Sequence, residues 1–455
     1  MREKLRNKFA LLPVIFDLAW PTMLEQLMQT AVQYIDTAMV GSLGTQATAA
    51  VGSTVTVNWL VNSTISALGV GFLAYISQAD GAGERKKISD ACGQAIFTVL
   101  VCGVFFTILT LSVSNFVPVL MQVDPSISSL SARYFFILYS PMLFRTATII
   151  FGTLLRAVGD TKTPMRVGIW VNVINVVLNF MLIYPTREMR LFSVSFTMPG
   201  ANLGVVGAAV ASAISFIVGG IIITVKVLKH PRLSPKGHKI TPNMEILRPC
   251  LKVALPNALQ RFGTSLGYVV FATMVNSLGE ISTAAHTIAN TVESAFYIPG
   301  YGMQAAAATL SGNAYGAGDR AKIKSLGRTI ILIEVMLMIV SGTVLFFFAE
   351  AMVGLFSNDV SVIHLGTIVL RMVALSEPFY GVSIVIEGMM QGMGKTVTPF
   401  IFNIVGMWGI RIVGTLIFII LLNGGLVSAW GAMITHNMLL FLMFTVYYKR
   451  GCLLK

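Results

Sequence analysis

The chain is dominated by long apolar segments that short polar segments separate. Uncharged runs extend over 95–123 and 191–225, among others, and each is longer than the ~20 residues that a helix needs to cross the membrane. They are too continuously apolar for the alternating ~10-residue strands of a membrane barrel. The pattern therefore predicts about twelve membrane-spanning helices, over 13–41, 46–78, 90–118, 126–156, 162–184, 202–227, 248–277, 282–312, 325–349, 361–392, 396–422 and 426–448.

Several of these spans exceed 25 residues, which predicts that the helices are tilted or kinked. Prolines inside the apolar segments are the positions at which a helix bends most readily. We expect bends near five of them: Pro21, Pro141, Pro256, Pro299 and Pro378.

The composition supports a membrane location. Hydrophobic residues make up 55% of the chain and charged residues only 11%, whereas soluble domains carry about 25% charged residues. The first apolar segment contains Asp17, Pro21 and Glu25, so we interpret it as a retained span instead of a cleaved signal peptide. The cysteines are scattered and are predicted to be free thiols: Cys92, Cys102, Cys250 and Cys452.

The net charge of +13 reflects topology, because the 32 Lys and Arg residues are unevenly distributed. Most of them fall at the two ends of the chain or in loops that follow even-numbered spans. Lys and Arg of short loops remain on the cytoplasmic side. We therefore expect an inner (plasma) membrane protein with both termini in the cytoplasm, and no role in nucleic-acid binding.

The two halves of the chain resemble each other at a constant offset of 235 residues. The segment 39–44 matches 274–279, 81–85 matches 316–320, and 159–164 matches 394–399. An even number of spans separates the copies, so the repeats have the same orientation and are related by an axis along the membrane normal.

The repeat predicts an all-α polytopic protein with two six-helix lobes related by a pseudo-twofold axis. The N-lobe would comprise 1–227, a cytoplasmic linker 228–247, and the C-lobe 248–455. Two such lobes would enclose a central cleft, and rocking them would expose the cleft to each side in turn, which favours transport.

Polar residues on the first span form the strongest candidate site. Gln26, Gln29, Gln33 and Asp36 share one helical face. An ionisable residue inside a span is a functional candidate: Asp36 could exchange a proton, hold Na⁺, or serve as a structural hydrogen-bond acceptor. Glu25 lies on the same face, ~16 Å deeper, and would be a second proton station or a gate residue.

A second polar face belongs to span five, where Asn172, Asn175 and Asn179 are spaced at i, i+3 and i+7. These amides would either join helices or complete the Asp36 site. Tyr139 would cap the same cavity or pack as an ordinary aromatic residue. The N-lobe site has no counterpart, because the offset pairs Asp36 with Phe271 and Asn179 with Gly414.

The C-lobe carries several ionisable residues that form a possible charge network. We expect Arg261 to pair with Glu293 and Arg411 with Glu377, since acids and bases occur at matching depths. The same network includes His286, which would be a satisfied interior residue or a proton donor, and Glu387, which replaces Gly152 of the other half.

Other chemistries find little support in the sequence. The segment 81–83 is Gly-Ala-Gly but lacks the Gly-Lys-Ser/Thr ending of a phosphate loop. No His/Asp metal cluster or Ser-Lys pair is apparent in the spans. We therefore expect neither an enzyme nor an ATP-driven pump, no cofactor, and coupling to H⁺ or Na⁺.

The repeated blocks resemble those of the multidrug and toxic compound extrusion (MATE) family. The resemblance covers essentially the whole chain and rests on 36–41 (Asp-Thr-Ala-Met-Val-Gly), on 81–83 and 316–318, on 284–286 (Ala-Ala-His), and on 152–164. It implies twelve helices in two lobes and antiport of small organic, often cationic, compounds against Na⁺ or H⁺.

The resemblance also separates two branches of the family. At the positions of the C-lobe carboxylates of the NorM-like branch this chain has Thr264 and Tyr380, whereas the N-lobe carboxylate is present as Asp36. We therefore favour the DinF-like branch. A second N-lobe acid found in some members is replaced by Asn179, which weakens the case for tight Na⁺ binding, and the resemblance adds Ser212 to the site.

The sequence thus predicts a monomeric secondary antiporter, surrounded by membrane lipids, that exports small organic substrates in exchange for H⁺ or Na⁺. The alternative within the same superfamily is a flippase for lipid-linked substrates. Such flippases have extra spans or a strongly cationic cleft, and Arg is sparse in these spans.

Overall fold

The computed structural model describes residues 2–52, 54–121, 123–191, 194–235, 237, 240–422 and 424–451. Cys452 and the linker residues Lys236, His238 and Lys239 lie outside this part of the chain. Cys92, Cys102 and Cys250 are free thiols, as expected.

The first half of the chain folds into six membrane-crossing units. They are α1 (Arg2–Gly41), the pair α2 (Thr45–Gly52) and α3 (Val55–Gly81), α4 (Arg85–Val113), the pair α6 (Pro125–Tyr139) and α7 (Met142–Ala157), α8 (Lys162–Leu182) and α9 (Gly204–Lys229), with the short α5 (Val117–Leu120) before α6.

The second half repeats this order. It comprises α10 (Met244–Asn276), the pair α11 (Glu280–Phe296) and α12 (Ile298–Gly316), α13 (Arg320–Gly354), the pair α14 (Val360–Ala374) and α15 (Glu377–Gly392), α16 (Val397–Ile404) continued by α17 (Val413–Leu416) and two π-helical segments (Val405–Ile412 and Ile417–Leu421), and α18 (Leu426–Lys449). The chain is an all-α membrane protein with twelve crossing units in two lobes, as the repeat predicts.

Some of the crossing units are less apolar than the others, because they carry polar residues. Within the described residues, seven helices are long and apolar enough to cross a membrane, and two bent pairs bring the number to nine. The units outside that set are α1, α10 and the pair α11–α12. These three carry many of the polar side chains on which the candidate sites depend.

Three of the five predicted prolines mark breaks between helices. Pro141 precedes α7, and α6 meets α7 at 50°. Pro378 stands in the first turn of α15, which meets α14 at 55°, and Pro299 stands in the first turn of α12. Pro21 and Pro256 lie inside continuous helices.

One part of the apolar run 191–225 is not helical. Strand β1 (Pro185–Leu191) pairs antiparallel with β2 (Val194–Ala201), with Arg187 opposite Met198 and an irregularity after Pro185. The hairpin lies before the predicted span 202–227, which α9 (Gly204–Lys229) confirms to within two residues at each end. Only α9, from Gly204 onward, continues as a helix, because Asn202 and Gly204 adopt positive φ at its start.

The lobes meet on the side of the molecule where α1 begins and α18 ends, which we call the terminal side. A Cβ atom on Gly81 of α3 would collide with the backbone of Asn313 on α12, and one on Gly316 would collide with the backbone of Gln78. The four positions are related by the offset of 235, so the two helices cross at the pseudo-twofold axis. Small residues permit such close backbone approach.

Polar contacts reinforce this crossing. Gln78 Nε2 donates to the Gly392 carbonyl at 3.0 Å. Asn313 Nδ2 donates to Asp80 Oδ2 at 3.1 Å, and Arg232 of the segment between the lobes donates to the same carboxylate at 3.2 Å. The first helix also bridges the lobes, because Ile15 packs into the core of α12, α13, α15 and α18.

We expect Gly316→Ala to loosen the terminal side of the molecule. The added methyl group has no room against α3, and overpacking of this kind costs about 1–3 kcal/mol. The midpoint of thermal unfolding in detergent should fall by several degrees. Gly431→Ala in α18 is the matched control, because nothing lies within 4 Å of its Cβ position. Equal midpoints for the two variants would contradict the tight crossing.

Candidate functional site

The candidate site lies in the N-lobe, where α1, α8 and α9 meet around Asp36. Asn179 Nδ2 donates to Asp36 Oδ1 at 2.6 Å. With its amide nitrogen turned toward Asp36, Asn175 reaches both carboxylate oxygens, at 3.0 and 3.2 Å, and its oxygen accepts from Ser212 Oγ at 3.0 Å. This orientation satisfies the Asn175 amide and places only neutral donors on the carboxylate.

Burial differs across this group of four residues. Asn175 and Asn179 are buried, with 6% and 1% of their surface exposed, whereas Asp36 and Ser212 are half-buried. The amides therefore form a fixed wall, and the carboxylate stands at its accessible edge. One acceptor remains unused, because Asn179 Oδ1 is buried without a hydrogen-bond partner.

Three other predicted residues stand beside this group without bonding to Asp36. Gln33 and Gln29 lie on the exposed surface of α1, one and two turns before Asp36, respectively. Asn172 is half-buried on α8, and its Nδ2 is enclosed without a partner. Their assignment to a substrate cleft stays a prediction.

Glu25 forms an ion pair in the N-lobe, on α1 between Asp36 and the terminal side. Its carboxylate lies 2.5 Å from Arg156 of α7, and both side chains are largely buried. The pair joins α1 to α7, and Thr309 of the C-lobe donates to the Arg156 carbonyl at 3.1 Å. Glu25 is therefore tied to a residue whose carbonyl contacts the C-lobe, and its role as a proton station or a gate residue stays a prediction.

Tyr139 belongs to a second polar cluster that the sequence did not reveal. Its ring is fully buried and stacks on Phe135, with 4.2 Å between the centroids. Its hydroxyl donates to Asn58 Oδ1 at 3.2 Å, and Arg145 donates to the same oxygen at 2.5 Å. Arg145 also lies over the ring of Phe216, 4.7 Å from its centroid. Tyr139 is thus a buried aromatic residue that shares a hydrogen-bond acceptor with Arg145.

In the C-lobe, amide side chains surround Glu387. Gln260 and Gln391 donate to its Oε1 at 2.8 and 3.1 Å, and Asn403 donates to Oε2 at 3.2 Å. These donors come from α10, α15 and α16. The sequence did not reveal them, although Gln391 follows Glu387 at i+4, a spacing at which side chains of one helix meet.

The profile of the MatE family matches the chain twice, over residues 21–181 and 256–417. The chain belongs to the MatE family. The two matched segments start at Pro21 and Pro256, so each lobe is one copy of the family's repeat. MatE proteins are multi-pass membrane transporters and are not enzymes, which agrees with the sequence analysis on both points.

Relatives of known name match over most of their length. The probable multidrug resistance protein NorM of Thermotoga maritima is 27% identical over 420 residues, which cover 92% of this chain and 88% of that protein. The probable multidrug resistance protein YoeA of Bacillus subtilis is 26% identical, with 86% of this chain and 83% of that protein covered.

Solved MATE structures share the fold. A crystal structure of MATE in complex with MaL6 superposes with a TM-score of 0.88 at 23% identity, covering 97% of this chain and 96% of that chain. The outward-facing conformation of a multidrug resistance MATE family transporter gives the same TM-score at 22% identity, again with 97% and 96% covered.

The two ion pairs predicted for this MatE chain are not formed, and that expectation was wrong. Within the described residues, no ion pair within 4 Å joins Arg261 to Glu293 or Arg411 to Glu377. The four side chains have other neighbours, because two residues at the same depth in the membrane need not lie on facing surfaces of their helices.

The actual surroundings are amide, hydroxyl and aromatic groups. Arg261 donates to Asn257 one turn earlier at 3.0 Å, and Glu293 accepts from Tyr297 one turn later at 2.7 Å. Arg411 lies over the ring of Tyr268, 5.0 Å from its centroid. Glu377 is fully buried.

The position of His286 agrees with an interior role. Its Nδ1 accepts a hydrogen bond from Trp430 at 3.3 Å, and its ring meets Phe271 edge to face. Phe271 occupies the position that corresponds to Asp36 in the repeat, so aromatic packing in the C-lobe replaces the carboxylate chemistry of the N-lobe.

We expect Arg261→Gln and Glu293→Gln to act independently. A double-mutant cycle on thermal stability should give a coupling energy below about 0.5 kcal/mol, the value for residues without shared contacts. The cycle of Gln260→Ala with Glu387→Ala is the positive control and should give about 1 kcal/mol or more, since Glu387→Ala removes the acceptor of the Gln260 hydrogen bond. A strong coupling of Arg261 to Glu293 would restore the predicted pair.

Proposed function

We propose that this MatE protein is a secondary antiporter that exports small organic, often cationic, compounds in exchange for a cation by alternating access. The observation that carries the proposal is Asp36, a half-buried carboxylate inside a membrane helix whose hydrogen-bond partners are neutral amides. A carboxylate without a fixed counter-cation is free to exchange one.

The surroundings of Asp36 fit this role. Asn175 and Asn179 hold the carboxylate from one side, and its half-buried position leaves the other side open to an ion or a substrate. The relatives named as multidrug resistance proteins support a broad range of organic substrates. The lobes pack tightly at the terminal side, so the proposed transport cycle alternates by separating the α3–α12 crossing.

Among coupling ions we favour H⁺ over Na⁺. Na⁺ is a hard cation and prefers oxygen ligands, yet Asn179 stands where some members have a second acid and donates its nitrogen to Asp36. That amide would have to rotate before its oxygen could face a bound Na⁺. A proton needs no such ligand shell, and a protonated Asp36 could use the unpartnered Asn179 Oδ1 as an acceptor after rotation of that one amide.

The C-lobe supports the DinF-like branch. Thr264, at one position of the NorM-like carboxylates, donates to the Gln260 carbonyl within its own helix. Tyr380, at the other position, packs edge to face on Tyr297. We propose that ion coupling is confined to the N-lobe, that the protein works as a monomer in the plasma membrane, and that the terminal side faces the cytoplasm.

We expect Asp36→Asn to abolish coupled efflux while the protein still folds, since the amide keeps the shape of the carboxyl group but cannot take up a proton. Dye accumulation in cells would measure efflux, and size-exclusion chromatography would confirm folding. Asp17→Asn on the same helix is the matched control, because Asp17 is exposed and its pair with Lys162 is of a kind that contributes little. Full efflux by Asp36→Asn would refute the proposal.

A second prediction separates the two coupling ions. Purified protein in vesicles should transport substrate when an imposed pH gradient drives the exchange. Transport should stop when the pH gradient is collapsed, even in the presence of a Na⁺ gradient. The reverse result, with transport that follows Na⁺ alone, would assign Na⁺ to the Asp36 site.

A further inference from the structure

A groove opens between α8 and α9 on the outer surface of the N-lobe, close to the terminal side. Its accessible volume is about 360 Å³, and six of the side chains that line it are Thr163, Arg166, Trp170, Ile174, Ile222 and Lys226. The four residues from α8 follow one helical face, and the two from α9 are one turn apart. The groove therefore has a basic mouth and an apolar floor.

The two cations at the mouth differ from their neighbours in having no acidic partner. Arg166 and Lys226 are exposed, and neither forms an ion pair within 4 Å in the described part of the chain. Close by, Lys162 lies 2.6 Å from Asp17, and Arg156 lies 2.5 Å from Glu25. The acids of this region are thus engaged elsewhere, and the groove keeps two uncompensated positive charges.

Trp170 marks the depth of the groove. Its side chain is 60% exposed, two turns into α8 from the helix end at Lys162. An exposed tryptophan at this height is typical of the boundary between hydrocarbon and headgroups. The cations therefore stand at headgroup level, and Ile174 and Ile222 stand at the level of the acyl chains.

The fold alone does not require this arrangement. At the offset of 235, Arg166 corresponds to Ile401 and Trp170 to Val405, so the related surface of the C-lobe lacks both the cation and the tryptophan. The basic groove is a property of one lobe, and α8 is also the helix that carries Asn175 and Asn179.

We propose that the α8–α9 groove binds one anionic phospholipid of the terminal-side leaflet. Arg166 and Lys226 hold the headgroup phosphate, and the acyl chains lie along Trp170, Ile174 and Ile222. Basic clefts between membrane helices suit anionic headgroups, because the phosphate supplies the missing counter-charge while the chains remain in the hydrocarbon. The bound lipid fills the space between the helix that positions the Asp36 amides and its neighbour.

The proposal is tested by native mass spectrometry of the purified full chain with added lipid. Phosphatidylglycerol should remain bound in excess phosphatidylcholine. Arg166→Gln combined with Lys226→Gln should weaken its binding about 25-fold, or about fivefold for each cation. The control Arg320→Gln combined with Lys322→Gln removes two exposed cations from the start of α13 and should leave binding unchanged.

Two further experiments distinguish a lipid headgroup from free phosphate and locate the bound lipid. Inorganic phosphate at the same concentration should neither bind measurably nor compete, because it lacks the acyl chains. Brominated phosphatidylglycerol should quench the fluorescence of Trp170, as judged by comparison with Trp170→Phe. Equal lipid binding by the groove variant and the control variant, binding or competition by phosphate alone, or quenching that Trp170→Phe does not change would each overturn the proposal.

Discussion

The hydrocarbon core of the membrane offers no water, so polar groups that enter it are stabilised mainly by partners within the protein. This constraint explains where the polar side chains of the chain have come together. Asp36 is held by amides from a neighbouring helix, Glu387 by three amides, Glu293 by a tyrosine hydroxyl, and Arg411 by aromatic rings. Ion pairs are used sparingly, since desolvating two charges can cost as much as their attraction returns.

The two lobes show how one backbone plan serves two chemistries. The crossing of α3 and α12 has the same residues in both halves of the repeat. At Gly81 and at Gly316 the backbone of the other helix lies too close to leave room for a side chain. The lobe interiors have diverged, with a carboxylate at Asp36 and an aromatic ring at Phe271. Close backbone packing restricts what evolution can change at the crossing, whereas the interiors only have to remain filled and hydrogen-bonded.

The position of Asp36 relative to the crossing connects the site to the proposed movement. The first helix contacts both lobes. Its N-terminal half packs against the C-lobe core through Ile15, and its C-terminal half carries Asp36 into the N-lobe. Glu25 lies between these regions and is tied to Arg156. In the proposed cycle, a change of charge at Asp36 would act on the helix that must shift if the lobes separate at the terminal side.

The sequence by itself determined the class of fold, the number and order of the helices, the two lobes and the face of α1 that carries Asp36. These follow from local rules: an apolar segment must be long enough to cross the membrane, and residues at i, i+3 and i+7 share a face. The constant offset of 235 supplied the relation between the lobes. Asn175 and Asn179 could be assigned to a common stripe for the same reason.

Only the tertiary structure decided which polar residues on different helices meet. The rotation of each helix about its axis is set by the packing of the whole lobe, and a sequence of one helix carries no record of its neighbour's rotation. The expected pairs of Arg261 with Glu293 and of Arg411 with Glu377 failed for this reason, and the contact of Tyr139 and Arg145 with Asn58 went unforeseen. The helix of Arg166 and the helix of Lys226 meet in one groove because α8 and α9 pack side by side, although about 60 residues separate the two cations along the chain.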